Sequence, residues 1–148
     1  MAAYASIVDA DTYFTTRLPS EEWDVASVGD KTKALATATR LIDQLNFKGV
    51  KADPGQENAF PRDEGTVVPQ PIIDACFEVA YALLEGRNPE YDFENINVIG
   101  SGIGASRLTK DIDNVPLNVI HNIPSTIAWN YLRPYLNNSL TLRLERLS

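Results

Sequence analysis

The chain has 148 residues, 44% hydrophobic and 22% charged, which suits one domain with a packed core and excludes global disorder. Thirteen basic against 20 acidic residues leave a formal charge of −7, a balance that disfavours tight non-specific DNA binding, because such binding is driven by Lys and Arg at phosphates. A single cysteine excludes an internal disulfide framework and a Cys-based zinc cluster, and no apolar run approaches the ~18–20 residues of a membrane span.

The opening MAAYASIVDADTYF has neither a cationic start nor a long apolar core, so no secretory leader is expected. Ser6 or Asp9 caps a first predicted helix through about Arg17, and Leu18-Pro19-Ser20 breaks it. Ser20-Glu21-Glu22-Trp23 reads as a short second turn, with Trp23 plugging the core. A strong helix then runs from a cap at Asp30 to about Leu45. Ala34, Leu35, Ala38, Leu41, Ile42 and Leu45 line one face, and Lys31, Lys33, Arg40 and Asp43 fall largely off it.

FKGVKADPGQENAFPR, residues 47–62, follows. Lys48, Lys51 and Arg62 near Phe47 and Phe60 imitate a single-strand site, where aromatics stack bases and cations track phosphates. The alternative is a strap: Gly49 lets the chain leave the helix, Pro54-Gly55 turns it, and Phe60-Pro61 pins it back. Asp53, Glu57, Asp63 and Glu64 largely cancel the cations, so the stretch reads as a stiff, partly buried crossover.

Pro69 and Pro71 open the next helix, striped by Ile72, Ile73, Cys76, Phe77, Ala80, Leu83 and Leu84 and stopped by Gly86. Ala75, Val79 and Ala82 add a second apolar side, so this helix is either central or packed on another subunit. Cys76 in that stripe reads as a buried, inert thiol. Ile96 to Ile99 and Ser106 to Ile112 suggest two strands joined by glycines at 100, 102 and 104, a β-hairpin. Pro124-Ser125 starts a last helix, which Pro134 ends. In the tail, Leu140, Leu142 and Leu144 alternate with Thr141, Arg143 and Glu145. Period two argues for an extended strand that pairs inside the fold or with another chain, and its placement favours a projecting arm.

No catalytic set emerges. His121 has no evident partner, Ser101 lacks the spacing of a nucleophile elbow, and Asp9/Asp11 and Asp111/Asp113 read as caps and solvated loops. INVIGSGIGASRL, residues 96–108, imitates a dinucleotide turn, but no helix and second parallel strand follow it. The chain is expected to be no enzyme and to use no cofactor or metal.

DADTYFTTR, Trp23, KALATATRLIDQLNFKGVKADPGQENAFPR and VPQPIIDACFEVAYALLEG together resemble a group of small tailed-phage proteins often labelled DnaT-like single-strand DNA-binding proteins. That group is also similar to head–tail connectors, or adaptors. The resemblance covers roughly residues 4–87. It implies a mainly α fold: a small helical bundle over residues 1–136 with a β-hairpin insertion at about 94–113, and an extended C-terminal arm at 137–148. It further implies a virion structural protein, made in the host cytoplasm, that forms a ring of typically twelve copies under the portal protein. Such a ring would bind the next tail component and pass double-stranded DNA without specific contact, and net negative charge suits such a channel. Leu140, Leu142, Arg143, Leu144, Arg146 and Leu147 would meet the portal or a neighbouring copy. Phe47, Lys48, Lys51, Phe60 and Arg62 would form the crossover and a possible ring contact. No membrane partner is expected. The alternative is the label's own claim, a single-stranded DNA-binding protein of phage replication, which the charge balance opposes.

Overall fold

The structure, a computed structural model, describes residues 2–87 and 117–137. Helix α1 spans Ile7–Phe14, and the Ser6 hydroxyl caps it by accepting from the Asp9 amide at 3.2 Å. It stops short of the expected Arg17. The hydroxyls of Thr15 and Thr16 turn back onto the carbonyls of Thr12 and Tyr13, competing with further helix, and Leu18-Pro19 follows. Helix α2, Glu21–Val25, is one short turn whose Ser20 hydroxyl bonds Asp24 rather than a backbone amide. Trp23 is 1% exposed and stacks on Phe14 at 5.0 Å. Its indole N–H donates to Asp11 at 2.7 Å, and the Lys31 ammonium reaches the same carboxylate oxygen, so one acid ties α1, α2 and the next helix together.

Helix α3 spans Val28–Asp43 and begins before Asp30, because Ser27 takes the cap: its hydroxyl accepts from the Asp30 amide at 3.1 Å. Ala34, Leu35, Ala38, Thr39 and Ile42 form its buried side. Helix α4 spans Gln70–Leu84, with Pro71 in its first turn. It packs on α3 along one side and on a later helix along the other, so it is the central helix of the domain. Gly86 closes it with φ +91°, the left-handed conformation that lets the Arg87 amide reach the Ala82 carbonyl.

Helix α5, Leu117–Ile120, is a single turn that sequence periodicity does not flag. Helix α6, Thr126–Leu132, starts where Pro124-Ser125 placed it, and the Ser125 hydroxyl caps it by accepting from the Ala128 amide. Pro134 does not end the helical path. It sits early in a 3-10 turn over Arg133–Tyr135, where its missing N–H costs little. The expectation of a β-hairpin insertion is corrected to a mainly helical fold: the described residues contain no strand. Their only extended pairing is two isolated antiparallel bridges, Phe47 with Leu136 and Lys51 with Arg62. The hairpin's own segment and the arm beyond Asn137 lie outside the described residues.

Glu78 lies 2% exposed in the middle of α4. A carboxylate there is stable only when paired. Arg17, from the turn after α1, grips it in two places, Nε to Oε1 at 3.0 Å and Nη2 to Oε2 at 2.8 Å. The Tyr13 hydroxyl donates to Oε1 at 2.8 Å. The guanidinium also lies over the Tyr81 ring at 4.2 Å. Removing one partner of a buried pair costs more than removing both. Arg17→Met is therefore expected to destabilise the fold by about 3 kcal/mol, read from the urea midpoint at unchanged m. The double variant Arg17→Met, Glu78→Met is expected to recover most of that loss. A double variant as unstable as the single would show that the charges do not act as a pair.

Candidate nucleic-acid interface

The crossover between α3 and α4 folds back on itself rather than lying open. Phe47 and Phe60 are each 4% exposed and meet edge to face at 4.7 Å. Tyr135 from the 3-10 turn and Tyr4 from the N-terminal segment pack their rings on Phe60. Neither phenylalanine presents a face on which a base could stack. Arg62 is spent internally as well. Its guanidinium donates to the carbonyls of Lys48 at 2.8 Å, Gly49 at 2.6 Å, Ala59 at 3.2 Å and Phe47 at 3.4 Å. It is therefore the hub on which the loop is wound.

Gly49 is required at its position. With φ +77° it lies so close to Asp63 that an added Cβ would sit 2.3 Å from the carboxylate, which accepts from the Val50 amide at 3.1 Å. The loop acids likewise serve the backbone, with Asp53 accepting from the Gly55 amide at 2.9 Å.

The N-terminal segment clasps the same loop to α3. The Tyr4 amide donates to Thr39 at 3.1 Å, its hydroxyl donates to Asp43 and accepts from the Phe60 amide, and the Ala59 amide donates to the same Asp43 oxygen at 3.1 Å. The other Asp43 oxygen is buried with no donor among the described residues. Burial outweighs these hydrogen bonds and raises the Asp43 pKa above the usual carboxylate value. Sequence periodicity set Asp43 on the outer side of α3. It is half-buried instead, because the returning loop covers it.

Lys48 and Lys51 remain exposed on this end of the molecule, with Arg133 exposed on the 3-10 turn that Lys48 joins through its amide, at 2.8 Å from the Tyr135 carbonyl. The Lys51 ammonium donates to the Gln56 carbonyl at 3.2 Å, and its charge also favours the ionised Asp43 carboxylate. Lys48 and Arg133 make no ion pair among the described residues. Arg133 and Tyr135 escaped sequence reasoning because Arg133 lies 71 positions after Arg62, and only the folded chain brings the two segments together, through the Phe47–Leu136 bridge, the Lys48 amide on the Tyr135 carbonyl and the Phe60–Tyr135 ring contact.

Two surface clefts offer less. One of about 210 Å³ contains Arg17 and Arg87, but Arg17 is committed to Glu78, and Arg87 donates to the Pro124 carbonyl at 3.4 Å. The other, about 360 Å³, is rimmed by Asp9 and Asp74 and repels phosphate. Among the described residues no group of three or more His, Cys, Asp or Glu side chains could hold a metal. His121 stacks on Trp129 at 5.3 Å with no acid or nucleophile assigned to it. Burial pushes the Cys76 thiol up to about 11, so it stays protonated at neutral pH. The six arm residues from Leu140 to Leu147 lie outside the described residues.

The fold and this end together define a small helical domain with a tightly wound, cation-bearing crossover. The chain belongs to the family described as "Putative DnaT-like ssDNA binding protein", whose profile matches residues 1–99. That span covers α1 to α4 and the whole crossover. Neither a curated protein nor a solved structure matches the chain. The family match corrects the expectation of a phage virion connector, an adaptor in a dodecameric ring at the neck: the family is described by single-stranded DNA binding and not by a place in a virion. The segments that carried the connector resemblance, among them ATRLID, FPR and LLEG, form the core and the strap. Their buried side chains, Ala38, Ile42 and Phe60 among them, specify how the domain folds.

Two outcomes are expected from this geometry. Arg62→Ala unties the loop and costs about 2 kcal/mol, as a charged donor to several carbonyls is lost. Proteolysis should then open at residues 48–58 before the helices unfold. For Asp43 the folded-state pKa is raised, so the fold favours the protonated form. That contribution is complete below the unfolded value of 3.8 and is lost as pH rises through the raised folded value. Asp43→Asn keeps an acceptor for Tyr4 and Ala59 and removes the charge. Its stability is expected to stay flat across that window where the wild type declines, as measured by thermal melts from pH 3 upward.

Proposed function

We propose that this chain binds single-stranded DNA through its phosphates, at the end of the bundle where the crossover meets the 3-10 turn. The observation that carries the reading is membership of a family described by single-stranded DNA binding, with a match that includes the whole crossover. The geometry adds Lys48, Lys51 and Arg133, exposed at one end and without ion pairs among the described residues. Burial of Phe47 and Phe60 makes the contact electrostatic rather than a stacking platform. Such contact is independent of sequence. It is weak, because a chain of net charge −7 repels DNA at long range and attracts it only locally.

Anisotropy of a labelled oligothymidylate, titrated between low and moderate salt, tests this. Saturable binding is expected, with a dissociation constant on the order of 10⁻⁵ M at low salt. The logarithm of the affinity should fall linearly with the logarithm of salt, with a slope of about −2 or steeper, since each phosphate contact contributes about 0.7. Absence of saturable binding at the lowest salt would overturn the reading.

A further inference from the structure

Helix α3 turns Leu35 and Ile42 into the core. On the opposite side, at spacings of four, three and four, stand Lys33, Thr37, Arg40 and Gln44. Lys33, Arg40 and Gln44 are exposed and Thr37 is partly so. This stripe carries two cations, two hydrogen-bonding side chains and no acid, on a chain with 20 acidic residues. The two nearest acids on the helix flank the stripe at its two ends. Asp30 is exposed three residues before Lys33 and bounds the stripe at its N-terminal end, and the Asp43 carboxylate is held under the loop by Tyr4 and Ala59. Lys31, by contrast, is used up on Asp11 and lies over Trp23. Lys33 and Arg40 make no ion pair among the described residues.

At a rise of 1.5 Å per residue the stripe runs about 16 Å, with its two cations about 10 Å apart. It stops at Gln44, and four residues further on Lys48 opens the crossover end. There the Asn46 carbonyl accepts from the Asn137 amide at 2.9 Å and the 3-10 turn bearing Arg133 is docked.

We infer that the outward face of α3 is the second half of a phosphate track: a single strand seated at Lys48, Lys51 and Arg133 continues along Gln44, Arg40, Thr37 and Lys33. This rests on the single-stranded DNA reading and extends it from a point of contact to a path. The occupant is a polyanionic backbone because the stripe offers charge and hydrogen-bond donors but no apolar or aromatic surface.

The test compares the wild type with Lys33→Gln, Arg40→Gln and with Lys48→Gln, Lys51→Gln, all exposed positions, using the full chain and the same labelled oligothymidylate. Circular dichroism verifies the fold of each variant. With five cations engaged, the wild-type salt slope is expected near −3.5, and removal of Lys33 and Arg40 should bring it to about −2. A second reading uses oligonucleotide length. The wild type should gain affinity on lengthening the strand beyond what the crossover end alone accommodates, and the α3 variant should not. If the α3 variant keeps the wild-type slope and length dependence while the crossover variant loses affinity, the track is overturned and the crossover reading stands. If the wild type binds no oligothymidylate at the lowest salt, both readings are overturned.

Discussion

A carboxylate in the middle of the most buried helix is the constraint around which this domain is arranged. Glu78 is enclosed with α4 between α3 and α6, where an unpaired charge would not survive. Its two oxygens are met by Arg17 and Tyr13, so the end of α1 must lie against α4. That in turn puts Phe14 against Tyr81 and Phe77, with Trp23 stacked on Phe14, and closes the core at the α1–α2 end. A hydrophobic residue at position 78 would pack without asking anything of α1. The acid makes the placement of α1 specific, because only one arrangement satisfies it.

At the other end of the bundle the same logic runs through the backbone. The crossover has no regular secondary structure to satisfy its carbonyls, and Arg62 supplies the donors. Tyr4 and Asp43 supply the matching groups for the amides of Phe60 and Ala59. Charge present in a sequence and charge available to a ligand are therefore different quantities. Of the cations in the described part of the crossover, Arg62 is consumed in building it, and the exposed lysines are what remains for a partner. Asp53 and Asp63 cap backbone amides but stay exposed and keep their charge. The net charge of the chain says little about the field at this end.

Membership of a family described by single-stranded DNA binding sits beside a strongly acidic composition, and the crossover itself exposes Asp53, Glu57, Asp63 and Glu64 beside Lys48 and Lys51. The acid-rich first turn of α2 and the cleft rimmed by Asp9 and Asp74 belong to the α1–α2 side. Among the described residues, the outward stripe of α3 and the crossover end carry Lys33, Arg40, Lys48, Lys51 and Arg133, none of them in an ion pair. A strand meeting this protein would be repelled from most of its surface, a condition that favours one path over general adhesion.

Helical periodicity was sufficient for α3 and α4, for the Ser6 and Ser125 caps and for the stop at Gly86, because caps, stripes and left-handed glycines are decided within a turn or two of chain. The same local signals misplaced the start of α3 by ignoring Ser27. They ended α6 at a proline that a 3-10 turn accepts, and they missed α5, which is one turn long. Reading 47–62 as a buried strap was within reach of the sequence, since two phenylalanines beside turn residues announce burial. Which cations stay free was not. Lys31 is taken by Asp11 twenty positions away, Arg17 by Glu78 sixty-one away, and Arg133 reaches the crossover across a contact between Phe47 and Leu136. Sequence alone determined the helices, their buried faces and the absence of a recognisable catalytic motif. Tertiary structure decided which charges neutralise one another and which face outward, because pairing between distant segments depends on packing that no local pattern encodes.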